Sequence, residues 1–222
     1  MTELHFDLRR ARRLAFACAG LLRPAWLELP SKARPRGPDA VRRCHAVIDQ
    51  FGYLQLDAVS VTGARSHSIV MASRLAGLAT ATVEGLLTRD APLFEYWGHE
   101  ACWLPTELYP AFEFRRRDFQ VHPWWGDLLN EHRKMADDIL ARVRGEGALR
   151  SIHLEGERGE GWWNLKLSKR VAEALWSAGE LTIAARNNFQ RVYDLPERVI
   201  PQDLLDSPWP LERALDALVL KA

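Results

Sequence analysis

The sequence predicts a mainly α chain with small β hairpins, an α+β fold. Three observations carry this expectation. Apolar residues recur at helical spacing through most of the 222 residues. The β-prone runs are short and bounded by turn residues. Between residues 130 and 195 the order is helix, short helix, helix and two-stranded hairpin, which is the order of a winged helix-turn-helix.

From Asp7 to Leu22 the apolar residues Leu8, Ala11, Ala15, Cys18 and Leu22 form a helical stripe. Arg9, Arg10, Arg12 and Arg13 fill much of the rest of its first half, which suits either a phosphate-facing helix or a solvated face. Four prolines between Pro24 and Pro38 predict a loop or extended linker. Asp39 is placed to cap a second helix, with Val41, Cys44, Val47, Ile48 and Phe51 on one side. Tyr53–Val59 is β-prone. Alternation sets Gln55 and Asp57 on one of its faces and Leu54, Leu56 and Ala58 on the other.

Residues 63–90 read as helical, with a break at Leu75–Ala81 and with Val83, Leu86 and Leu87 as core positions. The aromatic-rich stretch Leu93–Leu104 reads as strand or irregular chain. Thr106 opens a helix to about Asp118, and Val121–Trp125 reads as a hinge. Asn130 is expected to cap a helix with Met135, Ala136, Ile139, Leu140 and Val143 inward, ending at Gly145. Ser151 can start a short helix. A long helix then spans about Trp163–Ala178, with Leu167, Val171, Ala174, Leu175 and Ala178 inward and Gly179 as its stop. Leu181–Ala185 and Phe189–Tyr193 complete a hairpin around Arg186-Asn187-Asn188, where asparagine tolerates positive φ.

The outer face of the long helix carries Lys166, Lys169, Arg170 and Glu173 at i, i+3, i+4 and i+7. In a winged helix this stripe is where a recognition helix meets a DNA groove, with Arg186 and Arg191 in the wing near phosphates. A solvated helix face has the same pattern. The formal net charge of +1 hides an uneven distribution. Residues 1–50 hold ten Lys/Arg against five Asp/Glu, and residues 51–129 hold six against nine.

Several chemistries are excluded. Cys18, Cys44 and Cys102 are odd in number and widely spaced, which suits neither a disulfide scaffold nor a zinc finger. No Walker A, GxGxxG, GxSxG or EF-hand pattern occurs, and His99-Glu100 fails as HExxH because position 103 is Trp. No apolar run approaches membrane-spanning length and no signal-peptide pattern opens the chain, so the sequence reads as a reduced cytoplasmic protein. Trp97, Trp103, Trp162, Trp163 and Trp176 read as packing residues and His99 as structural. Arg115–Arg117 read as a phosphate-facing cluster, a solvated face, or a helix end meeting its dipole. The pair Gln55 and Asp57 is the site candidate. An amide beside a carboxylate can hold and polarise a water, or stabilise a cationic sugar.

Phe51–Ser60, Arg65-Ser66-His67, Ser73-Arg74-Leu75 and Leu93–Ala101 together resemble the winged-helix DNA glycosylases of the AlkZ/YcaQ type. So do Gly161–Asn164, Ser168–Arg170, Gly179–Leu181, Phe189–Leu195 and Glu197–Pro201, in order along the chain. The resemblance implies tandem winged helices: a first domain at 1–120, a second at 121–200 and the start of a third at 201–222. It implies hydrolysis of the N-glycosidic bond of alkylated or crosslinked purines, of the N7-alkylguanine type. Gln55-Leu56-Asp57 has the Gln-apolar-Asp form of the YcaQ-like branch. Asp57 would be general base or oxocarbenium stabiliser, and Gln55 would position the water or the sugar. Arg65 and His67 would lie near double-stranded DNA, with Lys166, Lys169, Arg170 and Arg186 as further DNA contacts. No cofactor, metal or membrane is implied, and the location would be the nucleoid within the cytoplasm.

Family members usually continue through a third winged helix and a β-barrel, so the resemblance also implies C-terminal truncation. The stripe Leu211, Leu215, Leu218 and Val219 is then left without a later segment to cover it and offers a route to self-association. The alternatives are a non-catalytic winged-helix DNA-binding protein and an inactive truncated relative.

Overall fold

The computed structural model describes residues 5–22, 27–60, 63–154 and 166–221. Asp7 caps helix α1 (Leu8–Cys18), its carboxylate accepting the Arg10 amide at 2.7 Å. The helix forms as expected, but it buries none of its residues. Helix α2 (Pro38–Phe51) buries Ala40, Cys44, Val47 and Ile48. Its cap is Gly37 rather than Asp39. Pro38 supplies the pre-set φ of the first helical position, and Asp39 in the first turn binds Arg42 and Arg43 instead.

The β-prone run after α2 contributes only a two-residue strand, β1 (Leu54–Gln55). Helices α3 (Ser66–Arg74) and α4 (Thr80–Glu84) flank the expected break, and Val83, Leu86 and Leu87 are buried. The aromatic stretch resolves into a hairpin, β2 (Leu93–Trp97) with β3 (Ala101–Pro105). Together with β1 it makes an antiparallel sheet of order β1-β3-β2. Thr106 opens a 3-10 turn through Phe112, not an α-helix, because Pro110 interrupts the pattern; α5 (Glu113–Asp118) follows. The expected hinge is a closed turn, with reciprocal backbone bonds between His122 and Gly126 at 2.8 Å and the His122 ring stacked on Trp125.

Helices α6 (Leu128–Glu131) and α7 (Arg133–Glu146) replace the single helix expected from Asn130. Asn130 lies inside α6 and its amide donates to Asp127. Of the expected inward set of α7, Ala136, Ile139, Leu140 and Val143 are buried and Met135 is partly buried against the core. The helix runs past the expected stop at Gly145 to Glu146 and is closed by Gly147 at φ 90. A short strand, β4 (Leu149–Arg150), precedes the 3-10 turn Ser151–His153 and was not evident from alternation, since two residues carry no period. Helix α8 is described from Leu167 to Ser177; the start expected at Trp163 and the Gly161–Asn164 motif lie outside the described residues. So do Trp162, the segment 23–26 of the proline-rich loop, and Ala222. The hairpin β5 (Thr182–Asn187) and β6 (Gln190–Asp194) joins β4 in a second antiparallel sheet, β4-β6-β5. Helix α9 (Gln202–Leu205) and helix α10 (Leu211–Lys221) close the chain. No described helix is long and apolar enough to cross a membrane.

Helix α8 is more deeply placed than a surface recognition helix. Every residue from Val171 to Ser177 is buried, Glu173 included. The outer stripe expected through Glu173 is therefore confined to its first turn. Trp97, Trp103 and Trp176 are core residues, as expected. The Trp97 indole donates to Ser177 Oγ at 2.8 Å, and the Trp176 indole donates to the Glu95 carbonyl at 3.1 Å. The two sheets thus share one interior, with β2 against α8 and β5.

Gly179 ends α8 at φ +82, and a Cβ there would run into the Arg116 side chain. Arg116 in turn lies over the Tyr109 ring and donates to the Tyr109 carbonyl. A Gly179→Ala protein is expected to lose more than about 1 kcal/mol of unfolding free energy, since both backbone and space disfavour the methyl. Urea titration measures this; an unchanged midpoint would show that the corner is loose.

Candidate active site

β1 is the edge strand of the first sheet, with Leu54 opposite Trp103 and Gln55 opposite Cys102. The Leu56 amide extends the pairing to the Ala101 carbonyl at 2.8 Å. Leu54 and Leu56 are buried while Gln55 and Asp57 are exposed, so the alternation inferred from sequence holds through Asp57. Asp57 Oδ1 accepts the Val59 amide at 2.9 Å, a local turn that fixes the carboxylate as the chain leaves the strand. Among the described residues, Asp57 Oδ2 has no partner. The strand face is open. Two cavities, of about 320 and 270 Å³, are lined by other residues, around Phe51 and Arg74 and around Arg116 and Gly179.

Beside this strand, Arg65 stands at the N-terminal end of α3 with its side chain about 30% exposed. It donates to Glu84 Oε2 at 2.8 Å, and Ser68 donates to Oε1 of the same carboxylate at 2.9 Å. His67 is fully buried, so it cannot face a duplex directly as expected. Its ring meets the edge of Trp103 and stacks on Phe189 at 5.4 Å. Nε2 lies 3.3 Å from Glu84, within ion-pair range yet misaligned for a hydrogen bond. Burial, joined by the Arg65 and Arg186 charges, holds the His67 pKa below its ordinary value against the opposing pull of Glu84.

The tip of the β5–β6 hairpin explains Phe189. Asn188 and Phe189 both have positive φ, 47° and 64°, the pattern of a tight turn matched to strand twist. A phenylalanine there is uncommon and strained. Its carbonyl accepts Arg186 Nη1 at 2.8 Å, and its ring sits 4.2 Å from the Arg186 guanidinium and 4.3 Å from that of Arg65. The hairpin is therefore docked on α3 through Phe189 and Arg186, while Asn187, Asn188 and Gln190 at its tip remain exposed.

Arg186 is correspondingly internal. It grips the fully buried Glu95 with two bonds of 2.6 Å, and Arg191, opposite it on β6, adds a third at 2.7 Å. Arg191 continues to Glu173 at 3.3 Å and lies over Trp176. Burial alone would raise the Glu95 pKa; the Arg186 and Arg191 guanidinium groups overcome it and hold the carboxyl below its ordinary value. Neither arginine is placed for phosphate contact. The cue was in the sequence: an acid inside the aromatic run Phe94-Glu95-Tyr96-Trp97 has to be paired if that run is buried. Lys166, Lys169 and Arg170 are half-exposed at the head of α8, and Arg170 lies 5.6 Å from the Trp125 ring centre.

The structure thus brings Gln55 with Asp57 and Arg65 with His67, keeps Lys166, Lys169 and Arg170 near the surface, and removes Arg186 to the interior. A family model for AlkZ-like DNA glycosylases matches residues 48–222, which include every one of these positions. The chain belongs to the AlkZ-like DNA glycosylase family. That membership supports a DNA-repair role. No solved structure matches the chain.

Replacing Glu95 with Gln leaves two enclosed guanidinium groups short of a counter-charge and is expected to cost about 3–5 kcal/mol. Because the folded pKa of Glu95 is depressed, its contribution is fully present above the ordinary value of 4.5 and is lost as pH falls below it. Unfolding titrations from pH 7 to pH 3 should show a steeper acid decline for wild type than for Glu95→Gln. Parallel curves would remove the network from the stability of the fold.

Proposed function

We propose that this chain is a monofunctional DNA glycosylase hydrolysing the N-glycosidic bond of alkylated or crosslinked purines of the N7-alkylguanine type. The observation that supports it most directly is the exposed pair of Gln55, on the edge strand, and Asp57, just past its end, held by buried Leu54 and Leu56. Asp57 accepts a proton from water as the water oxygen bonds to the sugar C1′. The electron pair of the breaking C1′–N9 bond returns to the cationic base and neutralises it. Gln55 orients that water or the sugar. Because the base departs as a neutral purine, it needs no strong acid, and one carboxylate serves both as base and as stabiliser of the oxocarbenium charge. The open strand face favours lesions too bulky to be swallowed, since a crosslinked base resists the extrusion that other glycosylases use.

In this reading residues 121–200 form a winged helix from α6, α7, α8 and the β4-β6-β5 sheet. Residues 1–120 form the first such unit, and 201–222 open a third. Double-stranded DNA is the partner, met by Lys166, Lys169 and Arg170 and by the partly exposed Arg65, in the nucleoid. His67 acts behind Arg65 and does not touch the duplex. A binding-only protein would share these contacts but release no base.

Incubation with DNA containing N7-methylguanine should yield abasic sites, and Asp57→Asn should slow their formation by about 100-fold or more while duplex binding persists. Equal rates for wild type and variant, zero included, would overturn the enzymatic reading. On α10, Leu211, Leu215 and Val219 of the expected stripe are exposed, whereas Leu218 packs against the core; the exposed three are proposed as a self-association surface. Light scattering should show concentration-dependent growth in mass that Leu215→Glu abolishes; a clean monomer at all concentrations would refute it.

A further inference from the structure

We infer that α1 is a DNA-backbone contact, an arginine arm that supplies much of the electrostatic affinity for the duplex. It lies outside the segment that matches the family, which begins at residue 48. The inference uses DNA as the family's substrate class. It does not depend on the roles proposed for Gln55 and Asp57.

Two observations carry it. The first is where the positive charge is free. Most arginines elsewhere are committed to partners within the protein: Arg65 to Glu84, Arg186 and Arg191 to Glu95, and Arg89 and Arg198 to Asp194. Arg116 and Arg117 bind Glu113, and Arg115 donates to the carbonyls of Trp97 and Gly98. A cation already neutralised by a fixed carboxylate has little left to offer a phosphate. On α1, Arg9, Arg12 and Arg13 are exposed and have no acidic partner among the described residues; Arg10 has only the exposed Asp7 at 3.7 Å. Residues 1–50 carry a net +5, whereas residues 51–222 carry a net −4. The larger part of the chain would repel a polyanion, and α1 concentrates the compensating charge.

The second observation is the form of the helix. It is capped by Asp7 and buries no side chain, so the fold does not use it as a packing element. Arg9, Arg12, Arg13 and Phe16 follow at i, i+3, i+4 and i+7 and share one face. An aromatic ring in the arginine stripe suits a groove edge, where apolar sugar lies between phosphates. An anionic membrane surface would instead need a deep apolar face opposite the arginines. There α1 offers Leu8, Ala11, Leu14, Ala15 and Cys18, of which three are small.

The test measures binding of the full chain to a fluorescein-labelled, undamaged duplex across a salt series. The variant Arg9→Gln/Arg12→Gln/Arg13→Gln should lower the slope of log K against log salt by about two to three, near 0.9 for each lost phosphate contact. The matching Arg→Lys triple variant should keep a slope close to wild type. Since α1 buries nothing, both should retain the wild-type circular dichroism and melting temperature. An unchanged slope in the Gln variant overturns the inference. So does a variant that binds duplex normally but loses binding to phosphatidylglycerol vesicles, which would make α1 a membrane-surface helix. Because the probe is undamaged, base release plays no part in the readout, and a failure of the proposed catalysis leaves this result unaffected.

Discussion

A single enclosed carboxylate organises much of this molecule. Glu95 sits in the middle of β2 with no solvent to stabilise its charge, and an isolated carboxylate in that position would be prohibitively costly. Arg186 and Arg191 answer it from the second sheet, and Arg191 also reaches Glu173 on α8. β2 is thereby fixed against two elements far from it in sequence, α8 and the hairpin that follows it, by charge geometry as well as by apolar contact. Hydrophobic packing alone would tolerate a shift of the hairpin along β2. Two bonds from one guanidinium and a third from its neighbour would not.

The docking of the hairpin has consequences at both ends of the molecule. At its tip, Phe189 is driven into a positive-φ conformation and against Arg65, His67 and Arg186. His67 meets Trp103, and Trp103 lies opposite Leu54, the residue before Gln55. A chain of packed rings therefore runs from the second sheet to the strand that bears the proposed catalytic pair. Along the hairpin, the arginines that would serve as phosphate contacts in a projecting wing are used internally. The same ion pairs that stabilise the fold thus withdraw cations from the surface, which is why the near-neutral net charge is a poor guide to where DNA could bind.

Periodicity made the long elements legible. The inward residues of α2, α7 and α8, the stop at Gly179 and the hairpin around Asn188 all follow from spacing and turn chemistry. That Gln55 and Asp57 share one face was legible for the same reason; that the strand before Asp57 lies at a sheet edge was not. Elements of two to four residues, such as β4 and α6, carry too little period to register, and their existence depends on partners such as Val192 and Tyr193. The Glu173 and Arg186 assignments failed for a different reason. A charged residue on an amphipathic helix or hairpin has the same sequence signature whether it faces water or a buried counter-charge. Only the partner's position decides, and Glu95 lies about ninety residues away in sequence.

Glu95 and the proposed catalytic Asp57 contrast two uses of a carboxylate. Glu95 accepts three hydrogen bonds from two arginines and has no access to water, so its charge is consumed in holding the fold. Asp57 is exposed and is anchored through one oxygen by the Val59 amide, which leaves the other oxygen able to meet a water or a sugar. The proposed reaction, whose leaving group already carries positive charge, asks for a positioned carboxylate more than for a strong acid. An open edge strand can provide that position without a deep pocket. The buried network then contributes indirectly, by keeping the sheet beneath that strand in place.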